Sequence, residues 1–171
     1  MKSDLYLGID PSYTNTGLIV IDDDGNIIYS NCIDCPLSDK NLAAVRAGTF
    51  LLTAINALHA IGNEFSDRKI HVCIEYPMVQ HQKAPNAVKV NEAFAVMAGA
   101  CRIVFGDDIK ICYATQWKKH LGVKHIADMK TVAEFVSRIY KLKFDNFDLC
   151  SAYGVALYLK RLVRAGGILN A

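Results

Sequence analysis

Four acidic residues lie where a fold could hold their carboxylates rigidly. Asp10 and Glu75 each follow a short apolar run that is typical of a buried strand. Asp145 and Asp148 are three residues apart at the start of a helical pattern, a spacing that places both on one helix face. If the two strands are neighbours in a sheet, we expect the four carboxylates to meet at one sheet edge.

Such a cluster of carboxylates is unfavourable without cations. Two unit charges 4 Å apart repel each other by roughly 4 kcal/mol at an effective dielectric constant near 20. Sites rich in carboxylate oxygens suit Mg²⁺ or Mn²⁺. Two such ions about 4 Å apart can activate a water and stabilise the leaving oxygen of a phosphodiester. The acids therefore indicate a metal-dependent nuclease centre.

Two other interpretations of these residues stay open at this point. The segment 10–17 between two apolar runs is also typical of the phosphate-binding turn of a sugar kinase or an actin-like ATPase. A chain of 171 residues leaves little room for the second lobe that such proteins need. Asp145 and Asp148, taken alone, could serve only to cap a helix and stabilise its dipole.

Charge is distributed unevenly along the chain. The formal net charge is +2, but residues 1–40 carry −5 and residues 110–143 carry +6. An acidic site beside a basic stretch suits an enzyme that acts on a polyanion. No uninterrupted apolar run has the length of a membrane span, and residues 1–4 lead directly into a strand pattern. We therefore expect a cytoplasmic protein that makes no contact with membranes.

The chain is expected to form a single α/β domain over residues 1–171. Three consecutive strands with tight connections predict an antiparallel meander, and a mixed sheet with helices on its faces should follow. The lone Trp117 is expected to be a core residue in preference to a base-stacking one. The predicted elements are strands at 5–9, 18–22, 27–33, 70–74 and 109–113, and helices at 41–61, 88–104, 128–142 and 147–163.

Several motifs occur in an order that is similar to that of a known family. They are Gly8-Ile9-Asp10-Pro11 with Thr16-Gly17, then Ile74-Glu75, then the lysine-bearing stretch 117–130, and finally Asp145-x-x-Asp148. Over essentially its whole length, the chain resembles the RuvC-type Holliday-junction resolvases. The resemblance implies an RNase H-like fold with a mixed five-stranded sheet, three antiparallel strands first, and helices on both faces. It also implies a homodimer.

The resemblance further implies Mg²⁺-dependent nicking of Holliday junctions or other branched DNA, with two ions per active site and Mn²⁺ able to substitute. Carried over by position, the catalytic metal ligands are Asp10, Glu75, Asp145 and Asp148. The loop after Glu75 corresponds to one that approaches the junction centre. The implied DNA-binding residues are Met78, Gln80, Gln82, Lys83, Lys118, Lys119, Lys124 and Lys130.

The chain departs from the family pattern at three places. Ser12 replaces a glycine, Met78 replaces an aromatic residue, and residues 149–154 replace a run of small residues. These departures predict a divergent, bacteriophage-like member that acts on a wider range of branched DNA. A catalytically silent binder of branched DNA on the same fold is a further hypothesis, against which the intact acid set argues.

Overall fold

A computed structural model of the protein describes residues 2–34, 43–77 and 87–166. The strands are β1 (Leu5–Asp10), β2 (Thr16–Ile21), β3 (Ile27–Ile33), β4 (Ile70–Tyr76) and β5 (Ile109–Tyr113). The helices are α1 (Ala43–Glu64), α2 (Ala87–Phe105), α3 (Ala114–Leu121), α4 (Met129–Tyr140) and α5 (Phe147–Arg164).

The five strands form one mixed sheet in the order β3-β2-β1-β4-β5. The first three strands are antiparallel to one another, as the tight connections predict. β4 pairs in parallel with β1 and with β5, because α1 and α2 carry the chain back across the sheet between these strands. The predicted mixed five-stranded sheet, with its antiparallel meander first, is therefore confirmed.

Helices cover both faces of the sheet because successive strand residues point to opposite sides. Leu7 and Ile9 of β1 belong to a core that contains Phe50 of α1 and Met97 of α2. Tyr6, on the other face of β1, belongs to a second core formed with α3, α4 and α5. Asp10, a predicted site residue, is on the same face of β1 as Tyr6 and therefore faces this second core.

No helix or strand was predicted for residues 115–122, but this segment forms most of α3. The helix is short, and Trp117 and Leu121 are its buried residues, so it shows little apolar periodicity. Its start is closed by Gln116, whose side chain accepts a hydrogen bond from the Tyr113 N–H at 2.8 Å. Its end is closed by Gly122 in a left-handed conformation (φ 81°).

Helix α1 is long and apolar enough, by length and composition, to cross a membrane. The prediction from the sequence concerned uninterrupted apolar runs, whereas polar residues interrupt the apolar ones in this helix. In the structure, Phe50, Ala54, Leu58 and Ile61 of α1 are fully buried in the first core. Packing on the sheet therefore accounts for the apolar character of this helix face.

Candidate active site

Asp10 and Glu75 lie at the same edge of the sheet. Asp10 is the last residue of β1, Glu75 is the penultimate residue of β4, and the two parallel strands place Ile9 opposite Ile74. By strand alternation, both acids share a face with Tyr6 and Cys73, which belong to the second core. The expectation that the two strands are neighbours is thus confirmed, and both carboxylates are on the side covered by α5.

Two glycines allow α5 to approach this sheet edge closely. A Cβ atom on Gly8 would lie 2.1 Å from the carbonyl oxygen of Ala152, and one on Gly17 would lie 2.3 Å from the carbonyl oxygen of Asp148. Both contacts are with helix backbone, which cannot move aside without displacing α5. The absence of side chains at these two positions therefore brings the first turn of α5, with Asp148, against β1 and β2.

The first turn of α5 is held by Asn146. The Asn146 Oδ1 atom accepts a hydrogen bond from the Asp148 N–H at 2.6 Å, and its Nδ2 donates to Cys32 Sγ of β3 at 3.4 Å. Asn146 is therefore the N-cap, so the interpretation in which the aspartates themselves cap this helix is not supported. The Asp148 carboxylate remains available for other interactions.

Asp145 does not share a helix face with Asp148, contrary to the spacing argument. Because α5 begins at Phe147, Asp145 precedes the N-cap and its side chain is exposed. Burial raises the pKa of Asp10, and the charges of Glu75 and Asp148 raise it further. The structure therefore brings three of the four predicted acids together and leaves Asp145 at the rim.

Burial favours the protonated forms of these acids, and at Asp10 the charges of neighbouring acids add to this effect. Burial, together with the charges of Glu75 and Asp148, holds the pKa of Asp10 well above its ordinary value. Burial raises the pKa of Glu75 to about 7 and also raises the pKa of Asp148. All three side chains nevertheless keep some exposure to solvent, so a ligand can reach them. The site thus concentrates negative charge at an accessible place.

Two residues of α3 limit this repulsion. The Trp117 Nε1–H donates to Glu75 Oε2 at 2.8 Å, which lowers the pKa of Glu75 against the effect of burial. Lys118 lowers the pKa of both Glu75 and Asp10 through its charge. The Lys118 ammonium donates to the Ala127 carbonyl at 2.9 Å and lies 5.6 Å from the centre of the Trp117 ring, so its position is fixed.

Trp117 and Ser151 were not predicted to belong to the site. Trp117 is buried, as expected, and its ring fills the space left by Gly154 of α5, but its indole N–H also binds a site carboxylate. The Ser151 hydroxyl, one helical turn after Asp148, lowers the pKa of Asp10 by hydrogen bonding. The spacing of Ser151 from Asp148 was a usable signal in the sequence, whereas the contact of Trp117 with Glu75 required the tertiary structure.

The turn between β1 and β2 satisfies its own hydrogen-bonding groups. The Ser12 N–H donates to Thr16 Oγ1 at 2.9 Å, and the Thr14 N–H donates to Ser12 Oγ at 3.2 Å. A phosphate-binding turn needs free backbone N–H groups that point at the ligand. The structure therefore favours a hairpin tip at this position over a kinase-type or ATPase-type phosphate site.

The four lysines of the stretch 117–130 lie at three different places on the structure. Lys118 lies beside the acids, as described above. Lys119 and Lys124 are exposed and line one surface groove with His125, and Lys130 is exposed in a separate groove on α4. Four of the implied DNA-binding residues, Met78, Gln80, Gln82 and Lys83, lie outside the residues that the structure describes.

The chemistry of the acids fits a hard divalent cation, but their arrangement is not a closed ligand set. Within residues 2–34, 43–77 and 87–166, no group of three or more His, Cys, Asp or Glu side chains is close enough together to hold a metal ion. The charges of Glu75 and Asp148 nevertheless add to the effect of burial in raising the pKa of Asp10, which places both carboxylates within electrostatic range of Asp10. A bound cation would relieve this repulsion and draw the carboxylates together.

Comparison with known proteins gave matches at the level of structure alone. No protein-family model matches the chain, and no curated protein matches it in sequence. RuvC from Thermus thermophilus superposes with a TM-score of 0.71 at 24% identity, covering 95% of this chain and 96% of that one. T. thermophilus RuvC in complex with a Holliday junction substrate gives a TM-score of 0.72 at 23% identity, with the same coverage.

The yeast mitochondrial Holliday junction resolvase Ydc2 is more distant. It superposes with a TM-score of 0.55 at 12% identity, covering 94% of this chain and 80% of that one. These similarities span nearly the whole chain, and they show that it has the RuvC-type, RNase H-like fold that the motifs implied.

Proposed function

We propose that this protein is a divalent-metal-dependent endonuclease that nicks Holliday junctions or other branched DNA. The observation that carries the proposal is the convergence of Asp10, Glu75 and Asp148, from β1, β4 and α5, at one sheet edge of a RuvC-type fold. The similar structures of a RuvC with Holliday junction substrate and of a Holliday junction resolvase support branched DNA as the substrate.

In this proposal, Asp10, Glu75, Asp145 and Asp148 hold Mg²⁺, two ions per site, with Mn²⁺ able to substitute. When bound, the ions supply an activated water and charge stabilisation for phosphodiester hydrolysis. The chain itself supplies carboxylates on three rigid elements. Trp117 orients the Glu75 carboxylate through its 2.8 Å hydrogen bond. Asp145, which is exposed at the rim, would join the others when a cation and the DNA approach.

Positive charge around the acids is suited to the DNA backbone. Lys118 is fixed beside Asp10 and Glu75, where a scissile phosphate would lie. Exposed Lys119, Lys124 and Lys130 are placed further out, where they would bind flanking phosphates. We also retain Met78, Gln80, Gln82 and Lys83 as residues that contact the branch point.

We propose a homodimer on the basis of one helix face. Val88, Ala95, Gly99 and Ile103 lie along one side of α2, and Val88 and Ile103 are 71% and 61% exposed. A Cβ atom on Gly99 would meet nothing within 4 Å, so packing within the described chain does not require a glycine there. A second copy that packs against this face would account for both observations. We place the protein in the cytoplasm, in keeping with its free cysteines 32, 73, 101, 112 and 150.

The decisive experiment incubates a labelled four-way junction and its matched linear duplex with Mg²⁺ and, separately, with Mn²⁺. The wild type should nick the junction in preference to the duplex. Asp10→Asn and Asp148→Asn should bind the junction without nicking it, because each loses one metal-ligand charge. Asp107→Asn, which changes an exposed acid remote from the site, should nick normally.

A branched-DNA binder that does not cut is the second candidate. It is favoured by the exposure of Asp145 and by the open arrangement of the other three acids. If the wild type binds junctions selectively but never nicks them with either metal, the nuclease proposal is wrong and this second function stands.

A further inference from the structure

A surface groove at the start of α5 is lined by aromatic and basic side chains that have no part in the proposed metal site. It has a volume of about 410 Å³ and lies between α4 and the start of α5. Phe147, the residue immediately before Asp148, lines it and is 51% exposed. The neighbouring Phe144, by contrast, packs on the second core with its ring centre 5.6 Å from that of Tyr153. Phe147 is therefore an aromatic side chain that the core does not need.

Three of the eight residues that line the groove are basic. Lys130 and Arg138 of α4 and Lys143 of the α4–α5 connection line it, opposed by the single acid Glu134. Lys130, Glu134, Ser137 and Arg138 follow one face of α4, whose opposite face is buried through Val132 and Val136. Arg138 is held in place by the Phe135 ring, 5.7 Å from its guanidinium carbon. An exposed aromatic ring with cations around it matches the chemistry of a single nucleotide, whose base stacks and whose phosphate pairs.

We infer that this groove binds one unpaired nucleotide of the branched DNA, with the base stacked on Phe147 and the adjoining phosphate bound by Lys130, Arg138 or Lys143. The inference rests on the proposed function and identifies a feature of its substrate. In continuous duplex, each base is stacked between its neighbours and offers no free face, whereas a branch point presents bases that can be turned out. Phe147 is the first residue of α5 and Asp148 the second, so the nucleotide bound in the groove would belong to DNA that reaches the same end of this helix. The groove would thus favour branched over linear DNA.

The test measures binding of four-way junctions by fluorescence anisotropy in EDTA, where no nicking occurs. The junctions carry a single abasic position, which is moved stepwise around the branch point. Phe147→Ala should weaken binding of the intact junction by about tenfold, the size of effect associated with the loss of one base–aromatic stack. At one position, removal of the base should weaken wild-type binding similarly and have no further effect on Phe147→Ala. Phe147→Tyr should retain wild-type binding.

Ile139→Ala provides the matched control, because Ile139 is 52% exposed on α4 but does not line the groove. It should bind like the wild type. Arg138→Gln should weaken binding to all the junctions equally, as expected for a phosphate contact. Thermal unfolding of each variant should match that of the wild type, since Phe147 is half-exposed.

Three outcomes would overturn the inference while leaving the nuclease proposal intact. Phe147→Ala could bind junctions like the wild type, its effect could add to that of the missing base at every position, or it could alter the oligomeric state without altering DNA binding. A wild-type protein that does not distinguish junction from duplex would instead refute the proposed function, and the inference with it.

Discussion

Metal binding requires the three converging carboxylates to be ionised, and in the metal-free protein this ionised form destabilises the fold. Asp10, Glu75 and Asp148 all have raised pKa values, so each ionised form costs the metal-free fold some stability. Such a conflict between folding and function is common at sites that bind charged ligands. It gives the proposed metal site a signature in stability that is independent of any nicking assay.

The first prediction concerns the stability of the metal-free protein. Between about pH 4.5 and pH 7, the folded state retains a proton on Glu75 that the unfolded chain has released. The free energy of unfolding should therefore fall as pH rises through this window, by about 3 kcal/mol from Glu75 alone. The raised pKa of Asp10 acts in the same direction. Urea denaturation in EDTA across the window measures the slope.

Glu75→Gln is the control for this prediction, and it should reduce the slope by the contribution of Glu75 while leaving the fold intact. Mg²⁺ added near pH 7 should raise the melting temperature of the wild type, because the ion binds the folded state. Stability that increases with pH over the same window would contradict the prediction, and a melting temperature unaffected by Mg²⁺ would weigh against a metal site.

The second prediction concerns Trp117 and the pH dependence of nicking. Trp117→Phe keeps an aromatic ring against Gly154 but removes the indole N–H that binds Glu75 at 2.8 Å. The pKa of Glu75 should rise further, because the ionised carboxylate loses a hydrogen-bond donor. The acidic limb of the pH–rate profile at limiting Mg²⁺ should move to higher pH. A uniform loss of rate at every pH would point instead to a packing defect.

At the scale of single residues, part of the site could be predicted from the sequence. Asp10 and Glu75 were identified because a carboxylate that follows a buried apolar run has a well-defined position at the end of a strand. The position of Asp145 relative to α5 could not be predicted, because Asp145 and Asn146 are both good capping residues. The choice of Asn146 depends on its contact with Cys32, which is more than a hundred residues away in the sequence.

At the scale of elements, the geometry of the site depends on how closely α5 approaches β1 and β2. Gly17→Ala should push the first turn of α5 away from the sheet, because the new Cβ would lie 2.3 Å from the Asp148 carbonyl oxygen. We expect a loss of stability of about 1–3 kcal/mol, typical of overpacking, and a loss of nicking at temperatures at which the variant is still folded. Thermal unfolding and junction nicking measure the two effects.

Gly48→Ala is the matched control on α1, where a Cβ atom would meet nothing within 4 Å. This variant should nick normally and be slightly more stable, since alanine favours the helix over glycine by about 0.5–1 kcal/mol. Normal nicking by Gly17→Ala would show that the close approach of α5 does not position Asp148.

The elements themselves differed in how well the sequence predicted them. The alternating strands and the long amphipathic helices were located because many residues contribute to each pattern. Helix α3 was missed because it is short and carries two lysines and a histidine among its eight residues. Its helical state depends on tertiary contacts, chiefly the packing of Trp117 against α5.

At the scale of the whole molecule, the proposed dimer makes the fourth prediction. Gly99→Arg should produce monomers in sedimentation or light-scattering measurements, because it places a charged side chain in the proposed contact of α2. The chain should still fold, since a side chain at Gly99 meets nothing within 4 Å. Gly48→Arg makes the same change on α1 and should leave the dimer intact. A wild type that is monomeric at all concentrations would refute the proposed assembly.

The global fold was predictable for a reason that does not extend to the assembly. The order of strands and helices restricts the topology to a few possibilities, and the sequence motifs selected one of them. A contact between subunits leaves a weaker trace in one sequence, because a small residue such as Gly99 serves equally well for packing within a chain. The exposure of Val88 and Ile103 became informative only in the structure.

The placement of Asp10 near the start of the chain and Asp148 near its end has a consequence for biosynthesis. Domains are made from the N-terminus, and the three-stranded meander can form while the ribosome is still adding α5. Until α5 emerges and packs over Gly8 and Gly17, the nascent chain lacks the Asp148 carboxylate and the hydrogen bond from the Asp148 N–H to Asn146. Under the proposed function, a polypeptide whose translation stops before α5 would therefore lack a complete metal site.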